Sequence, residues 1–348
     1  MNRVTMAHGA GGEMMQELIS RHITPFLPEI EAEVPLRSFD DSAIIDGTVF
    51  TTDGHTVKPL FFPGGDIGSL AVCGTINDIA VMGACPLAMS CALILEEGLE
   101  IPTLERVMES IGQYSELAET PVVTGDTKVM ESGSLDQMVV VTSALGRECP
   151  YLAHNMEVAS RYRKVDSKWL TDDSVREGDA IIVSGTLGDH GIALLSFREG
   201  YGFEGEAKSD IAPLHHLIEE ILEVGGVVSM KDMTRGGMAN ALNEWSAKSR
   251  VGIALEESRV PVSEPVNNAC ELLGLDPLSI GNEGKIVLAC VPEMAEEILD
   301  LMRRSVLGKN ASIIGHATKE YDRVVLRTEV GGRRVLDPPV GDPVPRIC

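Results

Sequence analysis

The sequence predicts an α+β protein of two domains followed by an extended tail, on three observations. Strand-like and helix-like segments alternate along most of the chain. A basic, weakly periodic stretch interrupts them near the middle. The end, Leu336 to Cys348, carries four prolines. With 348 residues there is chain enough for two domains of ordinary size. Hydrophobic residues make up 44%, aromatics only 4%, and glycines number 35, so the core must be built from Ala, Val, Ile and Leu around many tight turns.

Taken in order, a glycine run at His8–Gly12 leads into a helix over 13–19. Residues 47–53 (GTVFTTD) are β-rich and end on a carboxylate. Residues 66–82 are apolar nearly all round, which predicts a buried helix. A strand is expected at 87–95. The next helix, 102–119, has Leu104, Val107, Met108, Ile111 and Leu117 at helical spacing and Pro102 in its first turn. Strands at 121–124 and 137–145 complete a first domain over 1–149. The stretch 150–177 concentrates Arg161, Arg163, Lys164, Lys168 and Arg176 and reads as an interdomain connection. A second α+β domain over 178–335 follows, with strands at 179–184, 227–230, 285–291 and 312–316 and helices at 214–224, 238–248 and 293–307. Its four prolines bar 336–348 from a helix or a central strand and make it a flexible, extended tail.

Composition also excludes. Lys and Arg total 29 against 53 Asp and Glu, a net charge of −24, which disfavours nucleic acids and anionic membranes. A nucleotide stays admissible, because a divalent cation inverts the local sign. No segment reaches the ~18 apolar residues of a membrane helix, and the N-terminus has no signal-peptide core. Seven cysteines without a C-x-x-C pair fit neither a disulfide framework nor a zinc ribbon, so a reducing cytoplasm is expected.

Three features point to phosphate and metal. The loop His8-Gly9-Ala10-Gly11-Gly12 before a helix can cradle phosphate, although such a turn is also common without a ligand. Carboxylates recur at strand ends and in short turns: Asp40, Asp41, Asp53, Asp78, Asp126 and Asp232. Each alone could cap a helix or close a turn. Asp78 is the most telling, because an unpaired carboxylate on an apolar helix is costly. With the glycine loop and Lys128 they favour a metal–nucleotide site. Third, Glu283 in Gly281-Asn282-Glu283-Gly284-Lys285 is either a general base or a solvated turn residue, and His190 in Gly188-Asp189-His190-Gly191 is equally ambiguous. The final Cys348 is either incidental or a thiol on a swinging arm, with Arg346 favouring its thiolate and its own carboxylate opposing it.

The motifs PLFFPGGDIG (59–68), GTIND (74–78), EEG (96–98), TGDTKV (124–129), SGTLGDHG (184–191), TRGG (234–237), NEGK (282–285) and the closing PRIC (345–348) resemble the HypE-type hydrogenase maturation family over essentially the whole chain. That family comprises carbamoyl dehydratases within the ATP-binding superfamily of aminoimidazole ribonucleotide synthetase and selenophosphate synthetase. Departures are small: Ala10 for Ser, Lys231 for Arg, Gly281 for Ala, and a longer 150–176 connection.

The resemblance implies a PurM-like architecture, with the N-terminal sheet closing a barrel across a homodimer. It implies that a HypF-type carbamoyltransferase loads Cys348, that ATP phosphorylates the carbamoyl oxygen, and that a thiocyanate results, passed on through a HypC–HypD-type iron scaffold to a [NiFe] hydrogenase. Asp41, Asp78 and Asp232 would hold Mg²⁺. His8, Gly9, Gly11, Gly12, Asp40, Asp53, Asn77, Asp126, Thr127 and Arg235 would bind ATP. Lys128 would neutralise developing charge, and Glu283 would take the amide proton. The rivals are another ATP-using enzyme of the superfamily and a non-enzymatic cyanide or iron scaffold. Selenophosphate synthetases carry a reactive residue near the N-terminal glycine loop, whereas here no cysteine precedes Cys73.

Overall fold

A glycine-led helix α1 (Gly12–His22) opens the chain and is followed by β1 (Ala43–Ile45), β2 (Thr48–His55) and a short hairpin of β3 (Phe61–Phe62) and β4 (Gly65–Asp66). The computed structural model describes residues 3–200, 207–341 and 343–348. Helix α2 (Ile67–Ala80) follows, started by Asp66, whose carboxylate accepts from the backbone N–H groups of Gly68 and Ser69. Every residue of α2 except Asp78 is buried, as its unbroken apolar character predicts.

The long strand β5 (Ala84–Glu96), helix α3 (Ile101–Leu117), β6 (Val122–Met130) and β7 (Met138–Glu148) complete a five-stranded sheet ordered β1-β2-β7-β5-β6. Strand β6 runs parallel to β5 at the edge and is exposed along its whole length. It extends past the expected end at 124, so the Asp126–Lys128 segment is strand and not turn.

The stretch expected as a connection is itself structured. It contains α4 (Leu152–Ser160), and its Trp169, Leu170 and Asp172 are buried. Next come β8 (Ala180–Val183), α5 (Asp189–Glu199), α6 (His215–Val224), β9 (Val227–Asp232), α7 (Gly237–Ser249), β10 (Gly252–Glu256) and α8 (Glu264–Leu273). The last elements are β11 (Ile286–Cys290), α9 (Ala295–Arg304), β12 (Ser312–Thr318), β13 (Val324–Arg327) and β14 (Arg333–Val335). These strands form a second sheet ordered β14-β13-β10-β12-β8-β11-β9. Antiparallel pairing of Ile286 with Asp232 fixes the loop before β11, and with it Glu283, beside the end of β9.

The tail is irregular, as its prolines require, but it is docked. Val344 and Ile347 are 1% and 2% exposed and join the apolar core. Arg198 donates to the Pro345 carbonyl at 2.7 Å, and Arg346 pairs with Asp136 at 2.9 Å. His190 Nε2 donates to the Ile347 carbonyl at 2.8 Å, and the Thr56 hydroxyl donates to a terminal carboxylate oxygen of Cys348 at 3.3 Å.

Candidate active site

Three carboxylates meet from three elements: Asp41 from the segment before β1, Asp78 from α2 and Asp232 from the end of β9. Their oxygens lie within 4.8 Å of one another. Thr51 donates to Asp78 Oδ2 at 2.8 Å, while Asp232 Oδ2 is buried with no hydrogen-bond partner among the described residues. Burial, then the repulsion of Asp232, Asp53 and Asp41, pushes Asp78 well above the ordinary carboxylate range. Asp232 is raised by burial and by Asp41. Asp41 is pushed up to about 6 by burial despite Lys231, and Asp40 to about 7 by burial and Asp172. Clustered acids that resist ionisation, one with an orphaned oxygen, are what a hard divalent cation resolves, so the residues fit Mg²⁺.

Glu283 faces the same space. Its backbone N–H is held by Asp210 at 3.0 Å, its Oε1 is buried without a partner among the described residues, and burial followed by Asp232, Asp53 and Asp210 raises its carboxyl well above the usual range. Gly74 on α2 makes room for it, since a Cβ there would lie 3.4 Å from Asp53 Oδ2 and 3.9 Å from Glu283 Oε2. Arg235 is the nearby cation. The charge of Cys348 is the largest influence on it and, with Asp53, Glu283 and Asp78, raises its pKa. One open cavity of about 260 Å³ is lined by the acid cluster, Glu283, Arg235 and Cys348 together. The last residue therefore borders the same cavity as the carboxylates within its own chain.

Two family models match the chain: the N-terminal domain of AIR synthase related proteins over residues 39–147 and the C-terminal domain over 176–327. The carbamoyl dehydratase HypE of Escherichia coli strain K12 is 41% identical, covering all of both chains. The chain belongs to the HypE family. Among solved structures, a HypE–HypF complex matches with a TM-score of 0.83 at 38% identity, covering 92% of this chain and 99% of that one. The hydrogenase maturation protein HypE in complex with ATP matches at 0.79 and 39%, covering 99% and 100%. The two-domain α+β expectation and the HypE resemblance agree with these matches.

Of the residues that the HypE resemblance singled out, Gly11, Asp40, Asp41, Asp53, Asp78, Asp232, Arg235, Glu283 and Cys348 line the cavity. Others do not. His8 turns back on Thr5, its Nδ1 2.8 Å from the hydroxyl. Gly9 and Gly12 flank the cavity, and Gly12 (φ +70°) is needed for contact with the tail, because a Cβ would sit 2.9 Å from the Pro339 carbonyl. Asn77 does not line the cavity: its side-chain amide donates to the Ala212 carbonyl at 3.1 Å and accepts from the Leu214 N–H at 2.8 Å. Asp126, Thr127 and Lys128 also lie elsewhere in this chain, on exposed β6, where Lys128 pairs with Asp126 at 3.0 Å.

One contributor escaped the sequence reading and another was left open by it. Lys231 is buried and bridges Asp41, Asp172 and Glu244 at 2.8, 3.2 and 3.1 Å, a role signalled only by a Lys-Asp pair closing an apolar strand. His190 opens α5 rather than sitting in a turn, and it grips the tail.

Proposed function

We propose that this chain converts an S-carbamoyl group on its own Cys348 into a thiocyanate, consuming one ATP. The observation that carries the reading is the shared cavity of Cys348, Glu283 and the acid cluster. It is supported by the carbamoyl dehydratase and ATP-bound relatives.

The carbamoyl oxygen is a poor leaving group until it is phosphorylated. It attacks the γ-phosphorus, ADP departs, and Glu283 takes one amide proton. The carbon–oxygen bond then breaks, phosphate leaves, and the second N–H proton is lost as C≡N forms. The balance is thiocarbamate plus ATP to thiocyanate, ADP, phosphate and a proton. Asp41, Asp78 and Asp232 would hold Mg²⁺, which would offset the triphosphate charge. A base with a raised pKa suits Glu283's step, because proton transfer is most efficient when donor and acceptor are matched. Arg235 orients the terminal carboxylate. Tail docking through His190, Arg198 and Asp136 supplies proximity.

The remaining parts follow from the same reading. A HypF-type carbamoyltransferase loads the tail, in line with the HypE–HypF complex. A HypC–HypD-type scaffold receives the product. A second copy pairs along β6, whose nine residues form an open edge with Val123 and Val129 exposed. Asp126, Thr127 and Lys128 would then serve the ATP site across a homodimer. No disulfide is found among the described residues, in keeping with a cytoplasmic setting, and no described helix is long and apolar enough to cross a membrane.

The test is phosphate release from ATP by carbamoyl-loaded protein in a single turnover. One phosphate per loaded chain is expected, and Cys348→Ala should lose all carbamoyl acceptance while ATP binding persists. A scaffold without enzymatic activity would release none.

A further inference from the structure

Away from this cavity, a second cluster brings together groups that the chain keeps far apart. Cys85 stands at the start of β5, Cys149 directly follows β7, and Glu219 lies on α6 of the other domain. Their sulfur and carboxylate oxygen atoms lie within 4.8 Å of one another. The strand register explains the thiols: Cys85 pairs with Arg147, so Cys149 is its diagonal neighbour on the same face, held by its N–H to the Gly83 carbonyl at 3.0 Å.

The two thiols are not equally placed: Cys149 is buried and Cys85 half-buried. Among the described residues, the Glu219 carboxylate makes no hydrogen bond or ion pair, although it faces two sulfurs. A carboxylate with no cation beside two converging thiols is an arrangement that a bound cation would relieve.

We propose that Cys85, Cys149 and Glu219 form a binding site for a thiophilic divalent cation of the zinc type, which would clasp the first domain to α6. Two sulfurs and one oxygen select a soft or borderline ion over Mg²⁺. Tetrahedral bonds of ~2.0–2.3 Å put ligand atoms roughly 3.3–3.8 Å apart, so small side-chain rotations close the site. Binding displaces one proton from each thiol to solvent, and the fourth position is left to water. Cys85 is half-buried, which gives the ion a way in.

Cobalt(II) titration of the reduced full-length protein tests this, because sulfur-to-cobalt charge transfer does not arise at an all-oxygen site. The expected result is a charge-transfer band with tetrahedral visible bands, saturating at one equivalent and unchanged in Cys348→Ser. The band should vanish in Cys85→Ser and Cys149→Ser. Glu219→Gln should weaken binding by more than the ~10-fold that losing an outer-shell partner costs. In unsubstituted protein, zinc should slow alkylation of Cys85 and Cys149 but not of Cys348, which keeps the test sharp if a variant fails to fold. The proposal is overturned if reduced protein gives no band, if the band survives in Cys85→Ser, or if it disappears in Cys348→Ser. Closure of the two thiols into a disulfide, with no cobalt taken up by the reduced form, also overturns it.

Discussion

Two buried carboxylate groups on either side of Lys231 are treated in opposite ways. Asp172, 2% exposed, is surrounded by donors: Trp245 Nε1 at 2.9 Å, Lys248 at 2.6 Å and Lys231 at 3.2 Å. Burial alone would push it up, but the two lysines outweigh burial and leave it below its ordinary value. Asp232 and Glu283 are also buried, yet each keeps an oxygen without a partner among the described residues, and both are pushed far upward. The fold thus neutralises the acid that joins the connecting segment to α7 and leaves uncompensated the acids that face the tail. A stable core needs the first arrangement; a site for a cation and a reacting amide needs the second.

That contrast can be broken by substitution. Glu283→Gln keeps the shape and removes the base. Carbamoyl-loaded protein should bind ATP yet dehydrate ~10²–10⁴-fold more slowly in single-turnover phosphate release. Asp172→Asn takes the shared carboxylate from Lys231 and Lys248, leaving Lys231 with Asp41 and Glu244, and should cost about 1–3 kcal/mol in urea unfolding. Asp232→Asn, by relieving repulsion, should leave nucleotide-free stability equal or higher while Mg²⁺-dependent ATP binding fails. Equal stability losses in the two variants would erase the distinction.

Lys128→Ala tests the edge strand. Melting should be unchanged and turnover should fall roughly 10²-fold. Mixing with Cys348→Ala should restore part of it, because such a heterodimer holds one intact site; no restoration would confine Lys128 to its own subunit. The smallest effect concerns His215, pushed down to about 4 by burial and by His216, with both ring nitrogens unpartnered. As pH falls below ~6.5 the unfolded chain takes up this proton before the folded one does, so stability drops. His215→Phe should flatten the loss between pH 7 and 5 by about 1–2 kcal/mol, the lower figure allowing for partial solvent screening.

Particular residues show what could be read in advance. Asp78 was legible because it interrupts an otherwise apolar helix, and Cys348 because prolines and an arginine precede it. The side-chain direction of Asn77 was not legible from its nearness to Asp78: adjacent helical residues diverge by roughly 100°, so Asn77 faces the 212–214 backbone while Asp78 faces the acids. The Asp126–Lys128 segment was legible as a motif but not as an exposed edge, because strand length and edge position depend on pairing partners. Cys85, Cys149 and Glu219 gave no signal, since only the diagonal register of β5 on β7 and the packing of α6 unite them. The docking of 336–348 was likewise invisible, because proline fixes an extended backbone but not the surface on which it lies.

Mass spectrometry of the C-terminal peptide, after incubation with a HypF-type carbamoyltransferase, its substrates and ATP, addresses the central claim most directly. Cys348 is predicted to carry a carbamoyl group without ATP and that group less one water with it. A carbamoyl group that persists with ATP, or a cyano group on any of the other six cysteines, would contradict the account.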